Sequence, residues 1–239
     1  MTISPDGIIL LQWHDLALNA TILWTWIVMA VLVVGSWLVT RHFTTDVTIS
    51  RGQQLLEVLV TSMRDQIHDV SRQRAGPYLP FVGTLFVFIA VSNVLAIVPG
   101  YYPPTASLST TAALALCVFI AVPLFGISHQ GLRSYFTQYL RPTWFMLPFN
   151  IFGELSRTLA LAVRLYGNMM SGTVIAGILL SIAPLFFPIV MQTLGLLIGL
   201  IQAYIFAILA MVYIASATRA QNTDVTSSSN ELNVEDNHG

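Results

Sequence analysis

The chain has 239 residues, 9% of them charged and 55% hydrophobic, with a mean hydropathy of +0.73 and a formal net charge of -1. A soluble globular domain carries roughly a quarter charged residues, so this composition belongs in a lipid bilayer. All ten basic residues are arginine, and the near-neutral balance leaves no basic surface of the kind that nucleic acid requires, which excludes a DNA or RNA partner.

The first twenty residues, MTISPDGIILLQWHDLALNA, lack a positive leader and place acidic residues ahead of the first long apolar stretch. This argues against a cleaved signal peptide, so the first span is expected to stay in the protein. Residues 21–40 are charge-free and of about the twenty residues needed to cross a hydrocarbon core of roughly 30 Å, giving the first transmembrane helix. Residues 41–76 form a soluble connector. Within 51–74 it places Leu55, Leu56, Leu59, Val60, Met63 and Ile67 opposite Arg64, Asp65, Asp69 and Arg72, the pattern of an amphipathic helix on a membrane, on a partner, or simply solvated. A second span covers 77–98, opening on Pro77 and Pro80 and closing at the breaker Pro99-Gly100, and a third covers 111–128. The lone cysteine, Cys117, falls in that third apolar run and reads as a small buried core residue.

The run 142–218 holds only Glu154, Arg157 and Arg164 as charged groups and is too long for one helix. Ser181, Pro184 and Pro188 mark the best break, since proline removes a backbone donor and clashes with the preceding turn. Two long helices result, 148–180 and 189–217, both longer than the bilayer core is thick and therefore tilted. The fold class is an all-α integral membrane protein with about five embedded helices, residues 77–218 forming one channel-like unit. Arginines cluster in the connector after the first span (Arg41, Arg51, Arg64, Arg72, Arg74) and after the third (Arg133, Arg141), whereas the loop 99–110 has none. By the positive-inside rule the arginine-bearing segments are cytoplasmic, the N-terminal segment 1–20 is external and the C-terminus is cytoplasmic. Residues 219–239 are polar and lack aromatic residues, the composition of a disordered tail.

Charge inside a membrane costs about 2.5 to 3.5 kcal/mol per group on insertion scales, so three charges on one helix require a reason. At about 100° per residue, Arg157 and Arg164 lie within about 20° of each other, and Asn168 and Ser171 continue the same stripe. Glu154 stands three residues before Arg157, close enough to pair with it near the cytoplasmic mouth, as either a structural or a transport group. Arg164 lies about two turns deeper with no carboxylate on its own helix within four positions. An arginine in that position implies a water-filled cavity or a carboxylate from another chain. It stays protonated, so it can serve as a permanent barrier and never as a proton relay. On the last helix Gln202 is an amide in an apolar run, with helix-helix hydrogen bonding as its plainest role. Gly167, Gly172, Gly177, Gly195 and Gly199 would let the two long helices pack closely.

The run SRTLALAVRLYGNMMSG, with an arginine followed by Leu, an aromatic residue and Gly-Asn-Met, resembles the signature of subunit a of the membrane sector of F-type rotary ATP synthases. QAYIFAILAMVYIA resembles the matching stretch of that subunit's last helix, and PFVGTLFVFIAVSNVLAIVPG with PPTASLSTTAALAL resembles its second span and the loop after it. The resemblance covers residues 50–218. It implies a stator channel without a catalytic site, metal or cofactor, in a bacterial inner membrane, carrying H+ or Na+ through two offset half-channels to a ring of c subunits. The implied partners are that ring, the peripheral-stalk b subunits, the remaining ATP synthase subunits and the lipid bilayer. Arg164 would face the ring carboxylate, Gln202 would lie beside it, and Asn168 would line the path. Ser171 and Thr173, with Asn93, Ser107, Ser109, Thr110 and Gln192, would form a neutral outer vestibule.

Three positions depart from the commonest family pattern. Thr173 stands where many members carry a carboxylate or histidine, Gly195 replaces an occasional histidine, and Ser107 replaces a frequent acid. The pattern resembles the divergent N-type ATPases. A stand-alone secondary transporter is the alternative, but such proteins pair two broken helices and this chain has one break. A membrane enzyme is weaker still, with no HExxH and no nucleophile set beside a base.

Overall fold

Runs of apolar residues without charge leave the backbone no partner but itself in a bilayer, and the chain answers with helices. The computed structural model describes residues 9–13, 16–41, 51–71, 76–98, 101–131, 146–182 and 187–219. Six helices lie among them: α1 (Ala20–Arg41), α2 (Arg51–Ser71), α3 (Leu79–Leu95), α4 (Leu108–Gln130), α5 (Met146–Ile182) and α6 (Phe187–Arg219). A short 3-10 turn, Pro104–Ala106, leads into α4. Helices α1, α4, α5 and α6 are long and apolar enough to cross a membrane, and α3 is a shorter apolar helix of 17 residues, so the protein is an all-α integral membrane protein. The hairpin helices, 37 and 33 residues, would span roughly 55 and 50 Å if straight, well beyond a core of about 30 Å.

One element was not anticipated. Ahead of α1, β1 (Ile9–Trp13) pairs antiparallel with β2 (Leu16–Asn19), with Trp13 opposite Leu16 and an irregularity between Ile9 and Leu11. The sequence at this turn carries no Asn-Gly or Asp-Gly signal, so the hairpin left no mark to read.

Helix starts and stops follow backbone chemistry. Pro80 sits in the first turn of α3, where its missing N–H is not needed. Gly131 closes α4 at φ 79°, a conformation that suits glycine, and its N–H donates to Ile127 O at 2.8 Å. The expected breaker Pro99-Gly100, the break at Pro184, the basic residues Arg72, Arg74, Arg133 and Arg141, and the tail 220–239 lie outside the described residues.

The core is built around α6, which packs on α3, α4 and α5 and against α2. Ala203, Phe206, Ala207, Ala210, Met211 and Ile214 of α6 are buried against Val82, Leu85, Phe88 and Ile89 of α3 and Leu161 and Leu165 of α5. The amphipathic helix α2 docks on this core rather than standing free: Ile67 is buried, Met63 packs on the cluster, and the Tyr204 hydroxyl of α6 donates to Gln66 Oε1. Residues of α2, α3 and α6, among them Val58, Met63, Phe86 and Ile208, line a groove of about 590 Å³.

Candidate functional site

Helix α5 is oriented by a narrow buried strip, Leu161, Ala162 and Leu165, which faces the core and turns the residues between them outward. Arg164 is one of these and is exposed, flanked on the open face by Leu159 and Val163. Among the described residues Arg164 forms no ion pair and no hydrogen bond. A guanidinium with five donors therefore stands on an apolar surface with its bonding capacity free.

One turn further along α5, Asn168 Nδ2 donates to Gln202 Oε1 of α6 at 2.8 Å. Gln202 is 1% exposed, set between buried Ala203 and its neighbours, and its Nε2 is buried without a partner among the described residues. The two amides singled out on separate helices thus form one bridge between α5 and α6, beside Arg164. An amide neither gains nor loses a proton near neutral pH, so the bridge can orient and solvate but cannot relay by titration.

Ser171 and Thr173 follow on the exposed side of α5. Their hydroxyls donate back to their own helix, Ser171 Oγ to Asn168 O at 3.1 Å and Thr173 Oγ1 to Met169 O at 2.8 Å. Each keeps its oxygen lone pairs for a water or an ion while its proton is held by the backbone.

Arg157, expected beside Glu154, also sets its guanidinium 5.8 Å over the ring of Tyr213 of α6. The cause is the crossing of α5 and α6, which supplies an aromatic face that spacing along one helix could not show.

The neutral groups expected around an outer vestibule divide. Asn93 is 3% exposed and is spent on packing: its Nδ2 donates to Gly199 O of α6 at 2.8 Å, and its Oδ1 accepts from Thr105 Oγ1 at 3.3 Å. Ser107 is buried and shares a hydrogen bond of 2.6 Å with Ser109. Gln192 is exposed and donates from Nε2 to Ala96 O and Ile97 O at 3.3 and 3.2 Å. The glycines divide in the same way. A Cβ on Gly199 would meet Asn93 at 2.8 to 3.0 Å, whereas at Gly167, Gly172, Gly177 and Gly195 it would meet nothing within 4 Å. Of the five expected to bring α5 and α6 together, one serves close packing, and its neighbour is α3. No group of three or more His, Cys, Asp or Glu capable of holding a metal occurs among the described residues.

The site is therefore a fixed cation on an open apolar helix face, backed by a neutral amide bridge. Such a surface is suited to receiving an anionic group from outside the chain.

The family model described as ATP synthase A chain matches residues 22–215. The chain is 64% identical over 219 residues to "ATP synthase subunit a 2" of Acaryochloris marina, covering 92% of this chain and 94% of that one. It is 60% identical over 221 residues to "ATP synthase subunit a 1" of Chlorobaculum parvum, with 92% and 98% covered. To "ATP synthase subunit a" of Albidiferax ferrireducens it is 59% identical over 221 residues, with 92% and 96% covered.

Proposed function

We propose, from the premise that this chain belongs to the ATP synthase A chain family, that it is the stator ion-channel subunit of a rotary ATP synthase. The observation that carries the reading is Arg164, exposed and without an ion pair among the described residues, on a helix face that those residues leave bare. An intramembrane cation is tolerated when a counter-charge or water meets it. Here the counter-charge is a carboxylate on a ring of c subunits passing that face. The fixed guanidinium lowers the pKa of each arriving carboxylate, releases its proton or sodium ion, and repels any ion attempting to cross directly. Ions enter by one half-channel, travel on the ring, and leave by the other, which couples their flow to ATP synthesis or hydrolysis.

The roles follow the geometry. Asn168 and Gln202 hold the α5–α6 crossing beside Arg164 and present neutral dipoles to the path, and Ser171 and Thr173 offer oxygen lone pairs on its outer side. Glu154 and Arg157 sit at the cytoplasmic mouth. The subunit has no catalytic centre and needs no cofactor; the chemistry of ATP belongs to other subunits of the complex. Peripheral-stalk b subunits are its second set of neighbours, and it spans a bacterial inner membrane with its N-terminus outside and its C-terminus in the cytoplasm. Thr173, Gly195 and Ser107 support the N-type branch, in which the outer path lacks a titratable side chain at these places.

A cysteine scan of α5 in the assembled complex tests this reading, after Cys117, which is exposed rather than the buried core residue its apolar run suggested, has been replaced by alanine. Gly172→Cys and Ile178→Cys, on the open face, should cross-link to cysteines placed on c subunits, and Leu161→Cys, on the buried strip, should not. Equal yields from both faces, or none from the open one, would remove the ring from α5.

A further inference from the structure

Helix α2 brings two kinds of residue to the groove it shares with α3 and α6. Leu59, Met63 and Ile67 recur at every fourth position and form an apolar wall with Phe86 of α3 and Ile208 of α6. Gln54, Val58, Ser62 and Gln66 repeat at the same spacing one position earlier, so a largely polar margin runs beside that wall. Tyr204 of α6 joins the margin by donating its hydroxyl to Gln66 Oε1. The groove measures about 590 Å³, within the roughly 300 to 1,000 Å³ of small-molecule sites. It is not filled from within: among the described residues Val58, an apolar side chain on its lining, stays 64% exposed.

The surroundings of the groove select its occupant. An amphipathic helix on a membrane rests about 5 to 10 Å deep, at the boundary of headgroups and acyl chains. The other wall, α6, is long and apolar enough to cross the bilayer, so the groove is continuous with lipid. We propose that it holds one acyl chain of a phospholipid from the leaflet on which α2 lies, with the ester and headgroup oxygens of that lipid beside Gln54 and Ser62. An amide N–H and a hydroxyl donate to such oxygens without a cation, while the wall of Leu59, Met63 and Ile67 takes the hydrocarbon. Water is a poor occupant, because a water needs two to four polar partners and the wall supplies none. The tail 220–239, which continues α6 in sequence, is polar and lacks aromatic residues, so it does not suit the wall either. The bound chain acts as a hydrocarbon wedge that keeps α2 docked on α6. This inference rests on the membrane fold and is independent of the role given to Arg164.

The test uses the assembled complex in nanodiscs of phosphatidylcholine whose acyl chain ends in a diazirine. Illumination followed by peptide mass spectrometry should label α2 and α6 at the groove. When the complex is washed with detergent before illumination, label should disappear from exposed positions such as Trp26 of α1 and Leu124 of α4 and remain in the groove, because only a held lipid survives the wash. Val58→Trp fills the groove from an exposed position and should reduce the retained label several-fold, whereas Val58→Ala should keep it. A density map of the unaltered complex should show one unbranched rod of density between Met63 and Ile208. Groove label lost in the wash as readily as that at Trp26 and Leu124, or unchanged in Val58→Trp, would overturn the proposal. So would a map in which the groove is empty or holds a protein segment.

Discussion

The two helices of the hairpin are similar in length and both strongly apolar, yet the protein uses them in opposite ways. Ten residues of Ile189–Thr218 in α6 are buried inside the chain, against three, Leu161, Ala162 and Leu165, in Ile151–Ile182 of α5. Helix α6 spends its polar groups internally: Gln202 receives Asn168, Tyr204 meets Gln66, and Gly199 receives Asn93. Helix α5 keeps its strongest polar group outside, with Arg164 on the open face. The difference teaches that apolarity alone does not tell a scaffold from a working surface in a membrane protein. What separates them is whether the helix turns its faces into the chain or, among the described residues, leaves them open, with Arg164 on the open one.

That comparison can be broken most severely at Gly199. A methyl group there would meet the Asn93 amide and Cβ at 2.8 to 3.0 Å, so Gly199→Val should part α6 from α3 and lose the subunit from the complex. Gly199→Ala should lower stability by about 1 to 3 kcal/mol, the usual effect of overpacking. On α5, Gly172→Ala meets open space and should change the stability of this chain by less than about 0.5 kcal/mol. Thermal unfolding of the purified complex, followed by retention of this subunit, measures both. Similar losses at the two glycines would erase the distinction between the helices.

A smaller effect belongs to Arg157. Its guanidinium is exposed and rests over Tyr213, so Arg157→Gln should reduce coupled transport only in part. Tyr213→Phe keeps the ring and should be nearly silent, while Tyr213→Leu should cost about 0.5 to 1 kcal/mol. Coupling ratios of the three variants in vesicles decide the matter. A complete loss of transport in Arg157→Gln would move the essential cation away from Arg164 alone.

The smallest effect concerns Thr173, whose proton is held by Met169 O while its oxygen faces outward. Thr173→Ser keeps that oxygen and should transport at the original rate, whereas Thr173→Val should slow transport by drying the path. Transport rates measured across pH and sodium concentration test it. Equal rates for Val and Ser would take Thr173 out of the path.

Much of this architecture could be read before any coordinates, because a bilayer forces a simple code. Charge-free runs of the right length become helices, and the stripe of Arg157, Arg164, Asn168 and Ser171 follows from the helical period alone. What stayed hidden was every contact between helices. Asn93 and Gly199 are far apart in sequence, and nothing in either segment announces that the amide of one fills the space left by the other. The spacing of Arg157 and Glu154 is visible along one helix, whereas the Tyr213 ring that also meets Arg157 comes from another and could not be read. The open glycines of α5 were assigned to packing for the same reason: sequence marks where a close approach is allowed, not whether a neighbour comes. The amide bridge shows both sides, since Asn168 and Gln202 each stood out as polar residues in apolar runs and only the fold joined them.

The central claim is that Arg164 acts as a permanent cation on a face completed by another subunit, and ATP-driven ion transport by the assembled complex tests it most directly. In membrane vesicles carrying Arg164→Ala, the complex should assemble with all its subunits, ATP-driven ion uptake and ion-driven ATP synthesis should both vanish, and passive ion leak through the membrane sector should rise. Coupled pumping retained in that variant, with the alanine verified in the purified complex, would contradict the account.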